Sequence, residues 1–142
     1  MIYSFKYILF ISLFLNLTFL TAQKQKSKEN GGNENKLEFS YHFHDAIREK
    51  MIGNYKNAII HIEKALEFDS KDDAGYYLGS ELYSKIGHFE KAFEYAEKSI
   101  DLDSKNTYYL LNYALVALQS GKYKEAVSAY KTLLKNDPEN LE

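Results

Sequence analysis

The side chains best suited to chemistry are the four histidines, since imidazole titrates near neutral pH and is a common zinc ligand. His42, His44 and Asp45 fall within one helical turn, whereas His61 and His88 lie in later segments. Positions i and i+2 of a helix point to different faces, and we expect His61 on the outer side of its helix. A zinc site needs three or four convergent ligands. We therefore predict no catalytic residue, metal site or cofactor, and keep a metal-dependent hydrolase using His42 and His44 only as a remote alternative.

The composition excludes several other classes of function. The chain has 142 residues, of which 45% are hydrophobic and 27% charged, as in ordinary soluble domains. A formal net charge of −2 provides no basic field for nucleic acid. There is no cysteine for a disulfide or a thiol nucleophile, and the glycines are isolated rather than grouped in a phosphate-binding loop. The sequence thus predicts a non-enzymatic protein that does not bind nucleic acid.

One stretch occurs three times along the chain and must determine its architecture. The copies open at Gly53, Gly87 and Gly121, which are spaced by 34 residues, and an aromatic residue follows two positions after each glycine. From that aromatic, apolar or small residues recur at offsets of 3, 4, 7, 10 and 11. This spacing indicates one face of an α-helix. A fixed period of roughly 20–50 residues indicates a repeat array.

Three further helices are predicted between the glycine-headed ones. They span 37–52, 73–86 and 107–120, and each ends at a glycine that can adopt the left-handed C-cap conformation. Asp73, Asn106 or Thr107 could cap the helix that follows each polar cluster. The result is an all-α chain of three helix–turn–helix units, at about 39–72, 73–106 and 107–140.

This pattern resembles the tetratricopeptide repeat family, whose 34-residue unit is a helical hairpin with small residues where its two helices touch. The small residues here are Ala46, Ser80, Ala114, Ala58, Ala92 and Ala126. The resemblance implies an α–α superhelix, or solenoid, over residues 37–142. The first helix of repeat one departs most from the family, because His42, Asp45 and Glu49 stand at positions that the family fills otherwise.

The resemblance also implies a concave wall, built by the first helices, that binds a peptide or a helix of a protein partner. The groove positions carried over by register are Phe43, Ile47, Lys50, Met51, Tyr77, Glu81, Ser84, Lys85, Tyr108, Leu111, Leu115, Leu118 and Gln119. Chaperone-adaptor members carry a lysine and an asparagine where this chain has Phe43 and Ile47, so we expect no clamp for a C-terminal carboxylate. The alternative is that these side chains pack only within the solenoid.

The first helix of repeat three is apolar on almost every side over residues 107–120. Such a helix is normally buried all round, and solenoids need a polar cap at each end. We expect this end to meet a second copy of the chain, a partner or further repeats. The implied function is a protein–protein scaffold, with the N-terminal sensory or scaffold part of a longer repeat-containing envelope protein as an alternative.

The N-terminus predicts export. Lys6 precedes an apolar run of 14 residues at 7–20, and Ala22 offers a cleavage site. A membrane span needs about 20 residues, so we expect a signal peptide over 1–22, or an uncleaved anchor over 7–22. Residues 23–36 have no apolar side chain and predict a polar disordered linker. The protein would be periplasmic, in the cell envelope or secreted, with membrane contact only if the signal is uncleaved.

Overall fold

The computed structural model describes residues 32–136, in which all regular structure is helical. The helices are α1 (32–51), α2 (Tyr55–Phe68), α3 (Asp73–Lys85), α4 (Phe89–Leu102), α5 (Thr107–Gln119) and α6 (Tyr123–Asn136). The predicted all-α class is confirmed. Of two compact units, the one that begins at Glu38 holds the helical pairs. The predicted signal peptide, at 1–22, lies outside the described residues.

Helix α1 begins earlier than the sequence pattern predicts. The polar composition of 23–36 predicts a disordered linker, but residues 32–36 are helical and exposed, so the prediction is wrong for them. A polar segment can extend a helix that is already nucleated, because each added residue gains a backbone hydrogen bond without needing burial. Residues 23–31 lie outside the described part. No helix within the described part is long and apolar enough to cross a membrane.

Each hairpin turns at a glycine, as predicted. Gly53, Gly87 and Gly121 have φ values of 79°, 78° and 72°. These lie in the left-handed region, which residues with a side chain rarely adopt. The amide of the next residue reaches back to the helix that has just ended, which satisfies one of its last carbonyls. These bonds are Asn54 N–Glu49 O at 2.9 Å, His88 N–Tyr83 O at 2.9 Å and Lys122 N–Ala117 O at 2.8 Å.

The first helices of repeats two and three begin at side-chain caps. The Asp72 carboxylate accepts the amide of Gly75 at 2.6 Å, so Asp72 rather than Asp73 caps α3. The Asn106 side chain accepts the amide of Tyr108 at 3.1 Å and caps α5. Each cap satisfies an amide that has no partner within the helix.

Small residues at the helix crossings allow the hairpins to close. The residues expected there are all fully buried: Ala46, Ser80, Ala114, Ala58, Ala92 and Ala126. Larger buried side chains, including Ile62, Leu82 and Val116, fill the space around them. The hairpins then stack in chain order, since α3 packs on α2 and α4, and α5 packs on α4 and α3. This stacking brings the first helices side by side.

Candidate functional site

A cavity of about 440 Å³ lies between the first helices of repeats one and two. We call it the inter-repeat pocket. Its apolar lining comes from both helices and from the start of α2, and consists of Phe43, Ile47, Met51, Tyr55, Tyr77 and Leu78. Ala74, Lys50, Glu81 and Lys85 complete the wall. A concave apolar surface with a few polar groups is the usual form of a binding site.

The polar groups of the inter-repeat pocket form one connected network. Lys50 Nζ lies 2.5 Å from one carboxylate oxygen of Glu81, and the Tyr77 hydroxyl donates to the other at 3.2 Å. Burial, and then the negative charge of Glu81, raises the pKa of the Tyr77 hydroxyl. Tyr77 therefore remains a neutral donor at physiological pH. The network leaves Lys85, which is exposed, as a cation at the rim.

The structure divides the predicted groove residues into two groups. Phe43, Ile47, Met51, Tyr77 and Glu81 all line the inter-repeat pocket. The apolar groove residues of repeat three, Tyr108, Leu111, Leu115 and Leu118, are exposed on α5 and do not line it. We call this second group the α5 stripe.

The two groups lie side by side on neighbouring first helices. The ring of Tyr77 lies 5.0 Å from that of Tyr109, at the start of α5. The Ser84 hydroxyl donates to the side-chain oxygen of Gln119 at 2.6 Å, near the end of both helices. The contact between α3 and α5 thus runs along both helices, and the α5 stripe continues the apolar surface of the pocket.

Three residues of the pocket are missing from the predicted set: Tyr55, Ala74 and Leu78. Tyr55 is the aromatic that follows the first turn glycine, and its repeat position predicts core packing rather than a groove. Tyr55 is only partly buried at the start of α2. The regular placement of an aromatic after each turn was the signal available in the sequence, but it does not show which aromatic faces a cavity.

The prediction that His61 lies on the outer side of α2 is wrong. Its Nδ1 lies 3.3 Å from Nδ1 of His42 and 3.9 Å from the Asp45 carboxylate. The reason is the repeat register, because position 61 corresponds to Tyr95, which packs on the first helix of its own hairpin at Gly79. His42 and Asp45 are themselves buried. Both of these departures from the family pattern therefore contact His61.

His44, which the hydrolase alternative pairs with His42, is not part of this cluster. His44 is exposed on α1, while Asp45 pairs with Arg48 at 2.7 Å. Within residues 32–136, no group of three or more His, Cys, Asp or Glu side chains is arranged to hold a metal ion. The geometry thus gives no observation in favour of a hydrolase that uses His42 and His44.

Comparison with known proteins agrees with this architecture. The family described as "Anaphase-promoting complex, cyclosome, subunit 3" matches residues 51–133, from the end of α1 into α6. The match covers more than half of the chain and consists of the helical repeats. The chain belongs to this family of tetratricopeptide repeats. No curated protein matches it significantly in sequence.

Solved structures, including two tetratricopeptide domains, share the fold of this repeat protein. The second such domain of Spaghetti (RPAP3), bound to the HSP90 peptide SRMEEVD, is 21% identical with a TM-score of 0.67, covering 71% of this chain and 94% of that one. The second domain of human RPAP3 with an HSP70 peptide is 20% identical with a TM-score of 0.69, covering 75% and 89%. The MamA protein is 22% identical with a TM-score of 0.65, covering 70% of this chain. This chain spans 55% of the length of MamA.

Proposed function

We propose that this protein is a non-enzymatic interaction module that acts outside the cytoplasm. A partner peptide or helix would place apolar side chains in the inter-repeat pocket and along the α5 stripe. The observation that carries the proposal is the pocket itself, an apolar cavity between α1 and α3 where the repeat register implies a groove. Location outside the cytoplasm is supported by the apolar run at 7–20, which is typical of a signal peptide.

The tetratricopeptide domains of RPAP3 bind peptides, and the HSP90 and HSP70 peptides both end in the acidic sequence EEVD. We propose a different ligand here. Phe43 and Ile47 provide apolar surface where the resemblance implies a lysine and an asparagine for a carboxylate, and both line the pocket. The ligand should therefore be an apolar or aromatic segment. Lys85 at the rim can still form an ion pair with one acidic residue of the ligand, next to its apolar segment.

Peptide display on residues 23–142 would test this function. Selected peptides should be rich in apolar and aromatic residues, and their binding should be lost in Met51→Glu and Tyr108→Glu. Both positions are highly exposed, at 82% and 76%, so these changes should leave the fold intact. Ile60→Glu is the matched control, because Ile60 is also an exposed apolar residue, at 61%, but lies on α2 and does not line the pocket. Failure to select any peptide, or equal loss of binding in all three variants, would contradict the groove.

A further inference from the structure

The third hairpin exposes apolar side chains whose equivalents in the first two hairpins are more buried. Val127 on α6 is 52% exposed, whereas its equivalents Ile59 and Phe93 are each 8% exposed. Leu134 is 44% exposed, whereas its equivalent Leu66 is 8% exposed. Tyr123 is exposed beside them on the same side of α6. We call Tyr123, Val127 and Leu134 the end stripe.

The same molecule shows what covers such a surface. Helix α3 packs on α2, and α5 packs on α4. The ring of Tyr113, on α5, lies 5.1 Å from that of Phe93, the equivalent of Val127. In both earlier hairpins the covering element is therefore an α-helix with an apolar face. The end stripe has the register of a third surface of this kind.

The other end of the repeats differs, because the outer face of α1 exposes a charged residue as well as the apolar Leu37 and Tyr41. Arg48 occupies the position of Leu82 and Val116, which are buried in α3 and α5. Arg48 is exposed and forms an ion pair with Asp45. If the α1 of another copy packed on the end stripe, Arg48 would be placed in an apolar contact at a large desolvation cost. Head-to-tail stacking of copies is thus disfavoured.

Three lysines flank the end stripe on one side of α6. They are Lys124, Lys131 and Lys135, and the equivalent residues of α4 are acidic: Glu90, Glu97 and Asp101. In α4 this flank lies close to the covering helix, since Glu97 and Asp101 add to the effect of burial in raising the pKa of Tyr113 on α5. The flank of α6 therefore presents positive charge to whatever covers the end stripe. None of the residues of α5 is charged.

We propose that the end stripe and its three lysines bind an amphipathic helix of another protein, with carboxylates along one edge of its apolar face. The ligand should be helical because the two equivalent surfaces, on α2 and α4, are each covered by a helix. It should be acidic because the three lysines are positively charged. A second copy fits less well, because an antiparallel pair of α6 helices would bring the lysine flanks together. An anionic membrane could attract the lysines, but the equivalent surfaces of α2 and α4 each accept a helix.

Two synthetic peptides would test this proposal on the full-length chain. Both carry an apolar stripe with the spacing of Tyr109, Tyr113 and Val116 in α5, and they differ only in flanking residues, which are all glutamate or all lysine. Fluorescence anisotropy should show the acidic peptide binding about tenfold more tightly, because three weak surface ion pairs add together. Raising the salt concentration should reduce this difference.

The triple variant Lys124→Glu, Lys131→Glu, Lys135→Glu should reverse the preference between the two peptides. Its fold should be unaffected, since α4 carries acids at the same three positions. A second variant, Val127→Ser, should weaken the binding of both peptides. Met51→Glu, in the inter-repeat pocket, should weaken the binding of neither. Because Met51→Glu alters only the inter-repeat pocket, this result separates failure of the present proposal from failure of the proposed peptide-binding groove.

Several outcomes would overturn the proposal. One is that neither peptide binds, or that both bind equally and the triple variant changes nothing. Another is tighter binding to vesicles of phosphatidylcholine and phosphatidylserine than to the acidic peptide, which would assign the lysines to a membrane. A stable dimer in sedimentation velocity, dissociated by Val127→Ser, would assign the end stripe to a second copy.

Discussion

The ring of Tyr95 occupies the space that a side chain at position 79 would need, so this position is a glycine. A Cβ at Gly79 would lie 2.6 Å from Cε1 of the Tyr95 ring and closer still to Cδ1. The ring cannot easily move away, since it packs against Tyr76 and Tyr83 at centroid distances of 5.5 and 5.2 Å. Gly79→Ala should therefore strain the crossing of α3 and α4. The neighbouring Ser80 is already fully buried there.

The expected magnitude depends on two opposing terms. Overpacking a close-packed core costs about 2 kcal/mol, whereas replacing glycine by alanine within a helix stabilises it by about 1 kcal/mol. Gly79→Ala should thus lower the free energy of unfolding by about 1 kcal/mol. In a Tyr95→Ala background the clash is absent, and Gly79→Ala should raise the free energy of unfolding by about 1 kcal/mol. The sign of the effect should reverse, with a coupling of about 2 kcal/mol.

Urea unfolding followed by circular dichroism would measure all four proteins of this double-mutant cycle. Alanine at position 95 is an acceptable reference, because the third repeat carries Ala129 at the equivalent position. Gly87→Ala is the control. A Cβ there meets nothing within 4 Å, but φ is +78°, so it should cost about 1–2 kcal/mol in both backgrounds. If Gly79→Ala has the same effect with and without Tyr95, the steric reasoning is refuted.

Two further predictions concern stability. Burial, followed by the charge of Glu63, raises the pKa of Tyr95 to about 12. The free energy of unfolding should therefore be unaffected by this group below pH 10 and fall as pH rises toward 12, and Tyr95→Phe should flatten that part of a pH series of urea midpoints. Asn106→Ala should cost about 1 kcal/mol because it removes the cap of α5. His88→Ala, at the start of α4 where no side chain caps the helix, should cost less; equal losses would show that the Asn106 bonds contribute nothing.

The amino-acid sequence is enough to predict the helices, their turns and their pairing into hairpins. These follow from local chemistry. A glycine is needed where the chain turns with φ near +78°, as at Gly87, and alanine or serine is needed where two helix axes approach, as at Ala92 and Ser80. Both requirements repeat every 34 residues, so a single sequence is enough to detect them. Most of the lining of the inter-repeat pocket follows from the same register.

How side chains on different helices compensate for one another became known only from the tertiary structure. The position filled by Asp45 and Gly79 in the first two repeats faces His61 and Tyr95 respectively. The period specifies the position but not the partner, because the fit depends on two residues that are distant in sequence. The prediction for His61 failed for this reason.

The same distinction applies to the two ends of the repeats. Periodicity shows that α5 and α6 are amphipathic or apolar, but it cannot show which apolar side chains another helix covers. Val127 and Phe93 occupy equivalent positions in sequence, yet within residues 32–136 only Phe93 has a helix packed on it, with Tyr113 against its ring. Burial is a property of the surfaces that meet, so it became known only once the hairpins were stacked.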